Sequence, residues 1–403
     1  MSGLASGERL PAGLIVALSV TQIVGYGTQF YFYAILSPSI EASFGWSSQF
    51  SFAVFSAGLL LSGLAAPKAG RLADRLGAGA VMTCGSLVCA AGLAIAALSP
   101  SGPVFAAALV ATLAASALVQ YSVAFVAIVQ LCGPAAARGI VYVTLIAGFA
   151  STLFWPLTQW LLGVADWRTI MLIYAGLNLA MCVPLHGWIG RLHRKAAKSA
   201  PPVHAATETA PLHDRPPARR RLLFWLMMIA IGCQSVALTA ILVHMAPLTA
   251  ALGMGAAGIW ASTLFGPSQV ASRLINLLFG QRLRQAWLAT ISAVCMLAGI
   301  LVVVTTSPWL PGALIFMALF GFGSGIYSIV GGTLPLELFG RASYGATVGW
   351  ASSARQFAGA FSPFALAAMM AAFGVDAALL TLAGVAAVAA AVYACIAITS
   401  GPK

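Results

Sequence analysis

Charged residues are scarce in this sequence, at 7% of 403 residues, and acidic residues are scarcer still, with 8 Asp and Glu against 20 Lys and Arg. A soluble domain carries about 25% charged residues, so the composition excludes an ordinary soluble fold. With 61% hydrophobic residues, the chain is predicted to be an integral membrane protein. The net charge of +12 does not indicate nucleic-acid binding, because the basic residues fall in short segments between apolar runs.

Several kinds of site signature are also missing. The 7 cysteines form no C-x-x-C pair and lie mostly in apolar segments, which is typical of small buried side chains rather than of disulfides or metal ligands. No apolar run contains a cluster of Asp, Glu and His with catalytic or ligand spacing. We therefore expect neither an enzyme nor a metal or cofactor site. The absence of N-x-S/T sequons is consistent with a bacterial inner membrane.

Long apolar runs separated by Gly, Pro and charged residues predict an all-α membrane protein with twelve spans. The first run continues past Tyr33, which favours a retained span over a cleaved signal peptide. The basic, Pro-rich stretch 191–221 is interpreted as a cytoplasmic linker between two six-helix halves, 1–190 and 222–403. The predicted spans are 12–36, 48–67, 79–98, 103–131, 139–163, 168–190, 222–248, 257–280, 285–306, 310–336, 344–373 and 375–399.

The distribution of positive charge predicts the orientation of these spans. If both termini are cytoplasmic, Arg168 is the one basic residue in an outer loop, and Arg273 and Arg355 lie inside spans. Such a bias toward one side fixes topology strongly. The remaining basic residues fall on the cytoplasmic side: Arg9, Lys68, Arg71, Arg75, Arg138, Arg191, Arg194, Lys195, Lys198, Arg215, Arg219, Arg220, Arg221, Arg282, Arg284, Arg341 and Lys403.

Two sets of six helices with a basic central linker indicate a pseudo-symmetric transporter, in which the substrate site is expected at the midplane between the halves. A channel and a membrane-bound enzyme are the alternatives. The absence of a catalytic cluster argues against the enzyme. Glycine-studded helices, such as the Gly345-x-x-x-Gly349 stretch, favour close packing and rocking over a fixed pore.

The segment after the second span reads Gly70-Arg71-Leu72-Ala73-Asp74-Arg75-Leu76-Gly77. Glycine permits a tight turn, and an acid can sit at a helix N-terminus. The segment closely resembles the G-x-L-A-D-R-x-G signature of the major facilitator superfamily. The resemblance implies a gating loop made by Gly70, Asp74, Arg75 and Gly77. Its second-half counterpart, Gly280-Gln281-Arg282-Leu283-Arg284, lacks the acid.

One branch of that superfamily is also suggested. The stretch from Ala137-Arg138-Gly139 to Gly148 resembles part of a helix-five pattern of monocarboxylate transporters and oxalate:formate exchangers. The acidic helix-one motif of the animal monocarboxylate transporters is absent. The exchangers carry cations in helices eight and eleven that hold substrate carboxylates, and Arg273 and Arg355 fall on those helices. The resemblance implies that these two arginines bind the substrate.

Physical chemistry supports the same interpretation of the two arginines. Guanidinium presents a planar fork that matches a carboxylate and keeps its proton in a protein. The eight acids all fall in predicted loops or at helix ends. An anion site is therefore favoured for Arg273 and Arg355, and an arginine satisfied by backbone carbonyls or by a water-filled cavity is the alternative.

Helical spacing predicts polar faces around these arginines. Gln269, Arg273 and Asn276 share one face of helix eight. The expected pocket also contains Gln22, Tyr26, Gln29 and Tyr33 as a stripe on helix one, and Tyr121, Tyr142 and Tyr327 on helices four, five and ten. The pocket tryptophan that the resemblance implies in helix ten is missing near Gly323-Ser324-Gly325, which suggests a larger pocket.

These observations predict a secondary transporter that moves a small organic anion, a mono- or dicarboxylate, by exchange or proton coupling. The expected partners are that anion and the lipid bilayer, with no nucleic acid and a monomer favoured. Efflux of hydrophobic drugs or arsenicals is the alternative within transport. A non-transporting sensor of the same fold is the alternative from another class.

Overall fold

A computed structural model describes residues 10–199, 216–280 and 283–400. The described residues are almost entirely helical and contain no strand. Arg9, Arg215, Arg282 and Lys403, together with the central part of the predicted linker, lie outside the described residues.

The described helices form twelve rods in chain order. A short helix, Met245–Ala251, lies between the seventh and eighth rods. The rods are α1 Ala12–Phe44, α2 Ser48–Leu76, α3 Ala78–Ala97, α4 102–132, α5 136–162, α6 167–199, α7 Pro217–Val243, α8 255–279, α9 Gln285–Thr306, α10 Leu310–Phe339, α11 Tyr344–Phe373 and α12 Val375–Thr399.

Five rods are interrupted. Their α-helical parts are Ala12–Tyr26 and Phe32–Phe44 in α1, Gly102–Ala115 and Tyr121–Cys132 in α4, Ala136–Ala147 and Ala150–Leu162 in α5, Trp167–Leu177 and Val183–Ser199 in α6, and Gly255–Ser262 and Phe265–Phe279 in α8. A π-helical turn joins the parts of α1 at Gly27–Tyr31 and those of α6 at Asn178–Cys182. A 3₁₀ turn, Ser116–Leu118, lies within α4, and another, Gly133–Ala135, precedes α5.

The lengths of these rods confirm the predicted fold class. Ten helical stretches of the described chain are long and apolar enough to cross a membrane, and one of them, Gly102–Leu162, contains both α4 and α5. The two parts of α8 are too short to qualify singly. Pro267 explains the break in α8, because its ring would clash with the carbonyl of residue 263 in a continuous helix.

Helix α2 extends beyond its predicted end. The helix runs to Leu76 through Pro67, so Gly70, Asp74 and Arg75 lie on its last two turns, and the predicted gating loop is helical. Only Gly77 makes the turn into α3, with a positive φ of 86° that favours glycine. Helix α6 likewise continues to Ser199, into the predicted linker.

A single side chain, Gln130 of α4, fixes the α2–α3 turn. Its Nε2 donates to the carbonyl of Ala73 at 2.9 Å, and its Oε1 accepts from the backbone N–H of Ala78 at 3.0 Å. Glu337 has the equivalent place near the end of α10, where its carboxylate accepts from the backbone N–H of Gln285 at the start of α9. Each side chain therefore satisfies a backbone donor that a helix start leaves unpaired.

The chain divides into two compact units. The first lies within Met1–Glu208 and Arg341–Ser353, and the second within Thr209–Gly340 and Ala354–Lys403. Each unit has its own buried apolar cluster, with Phe32 and Phe105 among the members of the first and Phe316 and Phe320 among those of the second.

Asp166 is the N-cap residue of α6 and lies in the connection between α5 and α6. Its carboxylate caps the helix by accepting from the backbone N–H of Thr169 at 2.8 Å. Hydrogen bonds from Thr169 lower the pKa of this carboxyl below its ordinary value. Arg168 then donates to the carbonyls of Ala97 and Ser99, which satisfies the end of α3.

Candidate functional site

Arg273 lies in the second part of α8 and belongs to the second unit. Its side chain is 7% exposed, and it is the one buried lysine or arginine in the part of the chain that the structure describes. The Arg273 Nε donates to Ser328 Oγ on α10 at 3.2 Å. A cation is therefore held inside the unit in a fixed orientation.

The polar face predicted on α8 is present and packs against α10. Gln269, one turn before Arg273, donates from Nε2 to Ser324 Oγ at 2.8 Å. Ser324 and Ser328 are also one turn apart, so two polar side-chain pairs follow each other along the two helices. Asn276, one turn after Arg273, is 6% exposed.

Arg355 is half-buried on α11, also in the second unit. Its backbone carbonyl accepts from Ser235 Oγ of α7 at 2.7 Å. The Tyr327 hydroxyl lies near Ser235 and donates to the carbonyl of Ile231 at 2.8 Å. The charge of Arg355 is close enough to Tyr327 to interact with it electrostatically.

The two arginines are thus related through consecutive residues of α10. Ser328 bonds Arg273, and Tyr327 interacts with Arg355. Arg273, Arg355, Tyr327 and Gln269 all belong to the second unit.

The glycines of α10 pack against neighbouring helices, and this corrects the expectation of a larger pocket. A Cβ atom at Gly325 would lie 2.0 Å from Ser272 Oγ of α8, and one at Gly323 would lie 2.6 Å from the Ser292 carbonyl of α9. The volume that a side chain would occupy is already filled by the adjacent helices. Small residues here bring backbones together instead of widening a cavity.

The residues predicted as a stripe on α1 do not share one face, and the π-helical turn at Gly27–Tyr31 is the reason. The turn inserts one residue into the α-helical repeat, so positions after it rotate relative to positions before it. Gln22 therefore reaches the carbonyl of Val119 on α4, whereas Gln29 reaches Asn178 on α6.

Tyr33 and Gln29 are structural residues of the first unit in this arrangement. The Tyr33 hydroxyl lies 2.7 Å from Ser51 Oγ, and its ring stacks on Phe55 with centroids 4.5 Å apart inside the apolar cluster. Gln29 is 1% exposed and donates from Nε2 to Asn178 Oδ1 at 3.4 Å. The predicted role of these two side chains as pocket walls gains no support from this geometry.

Two of the predicted tyrosines do come together in the first unit. The rings of Tyr26 and Tyr121 have centroids 4.9 Å apart, and both residues are half-buried. Tyr121 also stacks on Phe125 at 5.2 Å. Tyr142 is half-buried on α5.

Asp74 makes the contact that an acid at a helix N-terminus is expected to make. Its Oδ1 accepts from the backbone N–H of Gly345 at 2.8 Å and its Oδ2 from that of Ala346 at 3.0 Å, within the first unit. These donors belong to the first turn of α11, where N–H groups have no partner inside the helix. The carboxylate therefore satisfies both donors and interacts with the positive end of the helix dipole.

Glycines make this contact possible. A Cβ atom at Gly70 would lie 1.8 Å from the carbonyl oxygen of Gly345, and one at Gly349 would lie 2.5 Å from that of Ala66. The predicted close packing at Gly345 and Gly349 is confirmed, with α2 as the partner. Arg75 is exposed near the end of α2.

Several partners that the structure shows left no signal in the residue pattern. Four such side chains form hydrogen bonds to Arg273, Arg355, Gln29 and Ala73, namely Ser328, Ser235, Asn178 and Gln130. Serine and amide side chains are nevertheless common in membrane helices. Only the contact across helices distinguishes them.

Comparison with known proteins agrees with this architecture. A family model described as Major Facilitator Superfamily matches residues 18–363. No curated protein matches the chain at a significant level.

Solved transporters share the fold at low identity. The human organic anion transporter MFSD10 (TETRAN) has a TM-score of 0.71 at 15% identity, over 96% of this chain and 100% of that chain. The proton:xylose symporter XylE bound to 6-bromo-6-deoxy-D-glucose has a TM-score of 0.68 at 15% identity, over 94% of each chain. A variant of the E. coli fucose:proton symporter FucP has a TM-score of 0.67 at 16% identity, over 98% of this chain and 100% of that chain.

The family match covers most of the chain, and the twelve helical rods and the G-R-L-A-D-R-L-G segment agree with it. The chain belongs to the Major Facilitator Superfamily.

Proposed function

We propose that this transporter moves a small organic anion, a mono- or dicarboxylate, by exchange or proton coupling. The observation that carries the proposal is Arg273, a buried cation within an apolar helix. Removing a guanidinium from water costs several kcal/mol even after relaxation, and ionisable residues inside membrane spans commonly mark a transport pathway. A carboxylate substrate would offset part of this cost.

Arg355 strengthens the proposal because it adds a second positive charge within the same unit. Like charges in a partly dry environment repel each other more strongly than in water. An anion bound to both would convert that repulsion into two attractions. Guanidinium forks pair with carboxylates through two parallel hydrogen bonds, which adds specificity to charge.

The folds of the known neighbours do not choose the substrate, since one is described as an organic anion transporter and two as sugar symporters. In our proposal the anionic substrate is inferred from Arg273 and Arg355. We also propose that the protein belongs to a branch of the superfamily that resembles the oxalate:formate exchangers, and this proposal rests on Arg273 and Arg355. Tyr327 and Gln269 would contact the anion beside them, and Tyr26, Tyr121 and Tyr142 would form further pocket wall.

Transport would follow alternating access, in which the binding site opens to one side of the membrane at a time. Without substrate, the two guanidinium charges would disfavour the occluded state. Anion binding would neutralise them and shift the population toward closure. This coupling favours exchange over leak.

We propose a bacterial inner-membrane protein with both termini cytoplasmic, because the charge bias favours this orientation and the sequence has no N-x-S/T sequon. We propose that the 191–221 stretch serves as the cytoplasmic linker between the halves 1–190 and 222–403, and that the protein acts as a monomer.

Uptake by purified protein in proteoliposomes tests the function. Labelled acetate tests a monocarboxylate, and labelled oxalate and succinate test dicarboxylates. A hydrophobic dye tests the efflux alternative. We expect saturable uptake of at least one carboxylate. Arg273→Lys should weaken binding because the planar fork is lost, and Arg273→Gln should reduce affinity by at least about tenfold, in line with about 1.5–3 kcal/mol for a hydrogen bond to a charged group.

The matched control is Arg220→Gln, which removes the same charge from an exposed position on α7. It should leave uptake unchanged. A well-folded Arg273→Gln protein with wild-type affinity and higher thermal stability would show that Arg273 destabilises the fold and does not bind the substrate. That result, or uptake of the dye alone, would replace the anion proposal with the efflux alternative, and no transport at all would favour a sensor.

A further inference from the structure

We propose that Ser328 is a positioning residue that fixes the orientation of the Arg273 guanidinium toward the substrate. The inference rests on the proposed anion function. It adds that Ser328 holds the Nε–H of Arg273 and so directs the guanidinium fork.

The hydrogen bonds of Ser328 define its role. Its hydroxyl donates to the carbonyl of Gly325, one turn back on α10, at 2.7 Å. Its oxygen accepts from Arg273 Nε at 3.2 Å. Since the single hydroxyl proton is used by the backbone carbonyl, Ser328 faces Arg273 as an acceptor. It therefore orients the arginine and does not donate to a substrate.

A guanidinium can pair with a carboxylate along two kinds of edge. One edge combines Nε–H with a terminal N–H, and the other combines the two terminal nitrogens. The Ser328 bond fixes how the guanidinium plane is turned, and it therefore sets the direction in which both edges point.

The approach of α8 to α10 explains why serine suits this position. A Cβ atom at Gly325 would lie 2.0 Å from Ser272 Oγ, and one at Gly321 would lie 2.5 Å from the carbonyl of Phe265. The two helices are therefore close to backbone contact one to two turns from Ser328. A short hydroxyl reaches Arg273 Nε across this spacing.

The experiment is a double-mutant cycle on the full-length protein in detergent. Dissociation constants for acetate, oxalate and succinate are measured by thermal-shift titration for the wild type, Ser328→Ala, Ser328→Thr, Arg273→Lys, Arg273→Gln and the Arg273→Lys/Ser328→Ala double variant. Thr333→Val is the matched control, because Thr333 is another buried hydroxyl of α10 that donates to its own helix, to the carbonyl of Ile329 at 3.0 Å.

We expect Ser328→Ala to raise the dissociation constant by about tenfold, because Arg273 loses its fixed orientation. Ser328→Thr should restore affinity to within about twofold, since it keeps the hydroxyl, and Thr333→Val should stay within the same range. In the Arg273→Lys background, Ser328→Ala should have an effect below about twofold, because lysine has no Nε–H fork to orient.

An equal loss from Ser328→Ala in both backgrounds would show a packing role and overturn the proposal. Wild-type affinity in Ser328→Ala, together with lost binding in Arg273→Gln, would overturn the positioning role while the anion function stands. Unchanged binding in Arg273→Gln, or stabilisation of the wild type by none of the three acids, would remove the anion function itself.

Discussion

The carboxylate of Asp74 caps the first turn of α11, with Oδ1 2.8 Å from the nitrogen of Gly345 and Oδ2 3.0 Å from that of Ala346. Both contacts fall within the first unit. Because the capping acid comes from α2, a residue distant in the chain controls the start of α11. A conformational change that moves this helix end has to release two charge-assisted hydrogen bonds.

Asp74→Asn should therefore impair turnover more than substrate binding. The amide keeps one acceptor oxygen but loses the charge that interacts with the helix dipole, worth about 0.3–2 kcal/mol. We expect the maximal transport rate to fall by about tenfold while the dissociation constant changes by less than about threefold, a split that follows from a contact stabilising one conformer. Transport kinetics and equilibrium binding measure the two quantities separately.

Asp166→Asn is the control for this prediction, since Asp166 caps α6 through Thr169 of its own chain segment. It should leave the transport rate near that of the wild type. A large loss of affinity in Asp74→Asn with a normal maximal rate would argue against a gating role.

Gly70→Ala should destabilise the protein. The added Cβ would lie 1.8 Å from the carbonyl oxygen of Gly345, so the two backbones would have to separate. Overpacking of this kind costs about 1–3 kcal/mol. A lower melting temperature in detergent would record it. Gly176→Ala is the control, because a Cβ there meets nothing within 4 Å, and alanine should be neutral or favourable in a helix.

Arg355→Gln should distinguish substrates by their number of carboxylates. Succinate, which offers one carboxylate to each arginine, should lose affinity by at least about tenfold. Acetate, which needs a single clamp, should lose less. Equal losses of affinity for both acids in isothermal binding measurements would mean that Arg355 stabilises the fold or raises the electrostatic potential of the whole site, and does not bind one carboxylate.

Removal of Gln130 should weaken the α2–α3 turn. Gln130→Leu leaves the carbonyl of Ala73 and the N–H of Ala78 without their side-chain partner. An unsatisfied buried backbone group costs about 1–3 kcal/mol, so the melting temperature should fall. Gln130→Glu should recover part of the loss, because a carboxylate accepts from Ala78 but does not donate to Ala73. Full stability of the leucine variant would show that water replaces both bonds.

The membrane topology predicts opposite labelling of two single cysteines in a background without the native ones. Val164→Cys, at an exposed position between α5 and α6, should react from outside, and Lys403→Cys from inside. The reason is the concentration of basic residues on the cytoplasmic side. Reaction of both positions with an impermeant reagent from the same side would contradict the orientation.

The fold was predictable because its signals are long and redundant: an error of several residues at the end of any of the twelve apolar runs does not change the predicted fold. The site was less predictable. Helical spacing placed Gln269 and Arg273 on one face of α8 because that part of α8 is regular. The same method failed on α1, where a π-helical turn between Gln22 and Gln29 leaves no mark in the residue pattern.

Glycine was ambiguous for a related physical reason. The residue type shows where a side chain is missing but not what occupies the space. At Gly325 that space is taken by Ser272, and at Gly345 by the α2 backbone and Asp74. Cross-helix partners such as Ser328 depend on the distance between helices, which composition and periodicity do not specify.

Gln130 and Glu337 satisfy equivalent helix starts with different chemistry. The first is a neutral amide, and the second is a carboxylate that also lies 4.0 Å from Arg284 at a partly exposed position. Dissolved ions screen charges near the surface over a Debye length of about 8–10 Å at moderate salt, but they leave an amide contact almost unaffected. Raising ionic strength should therefore weaken the Arg284–Glu337 attraction at the start of α9 while the start of α3 keeps its amide hydrogen bond. Salt thus acts on one of two equivalent helix starts without any mutation.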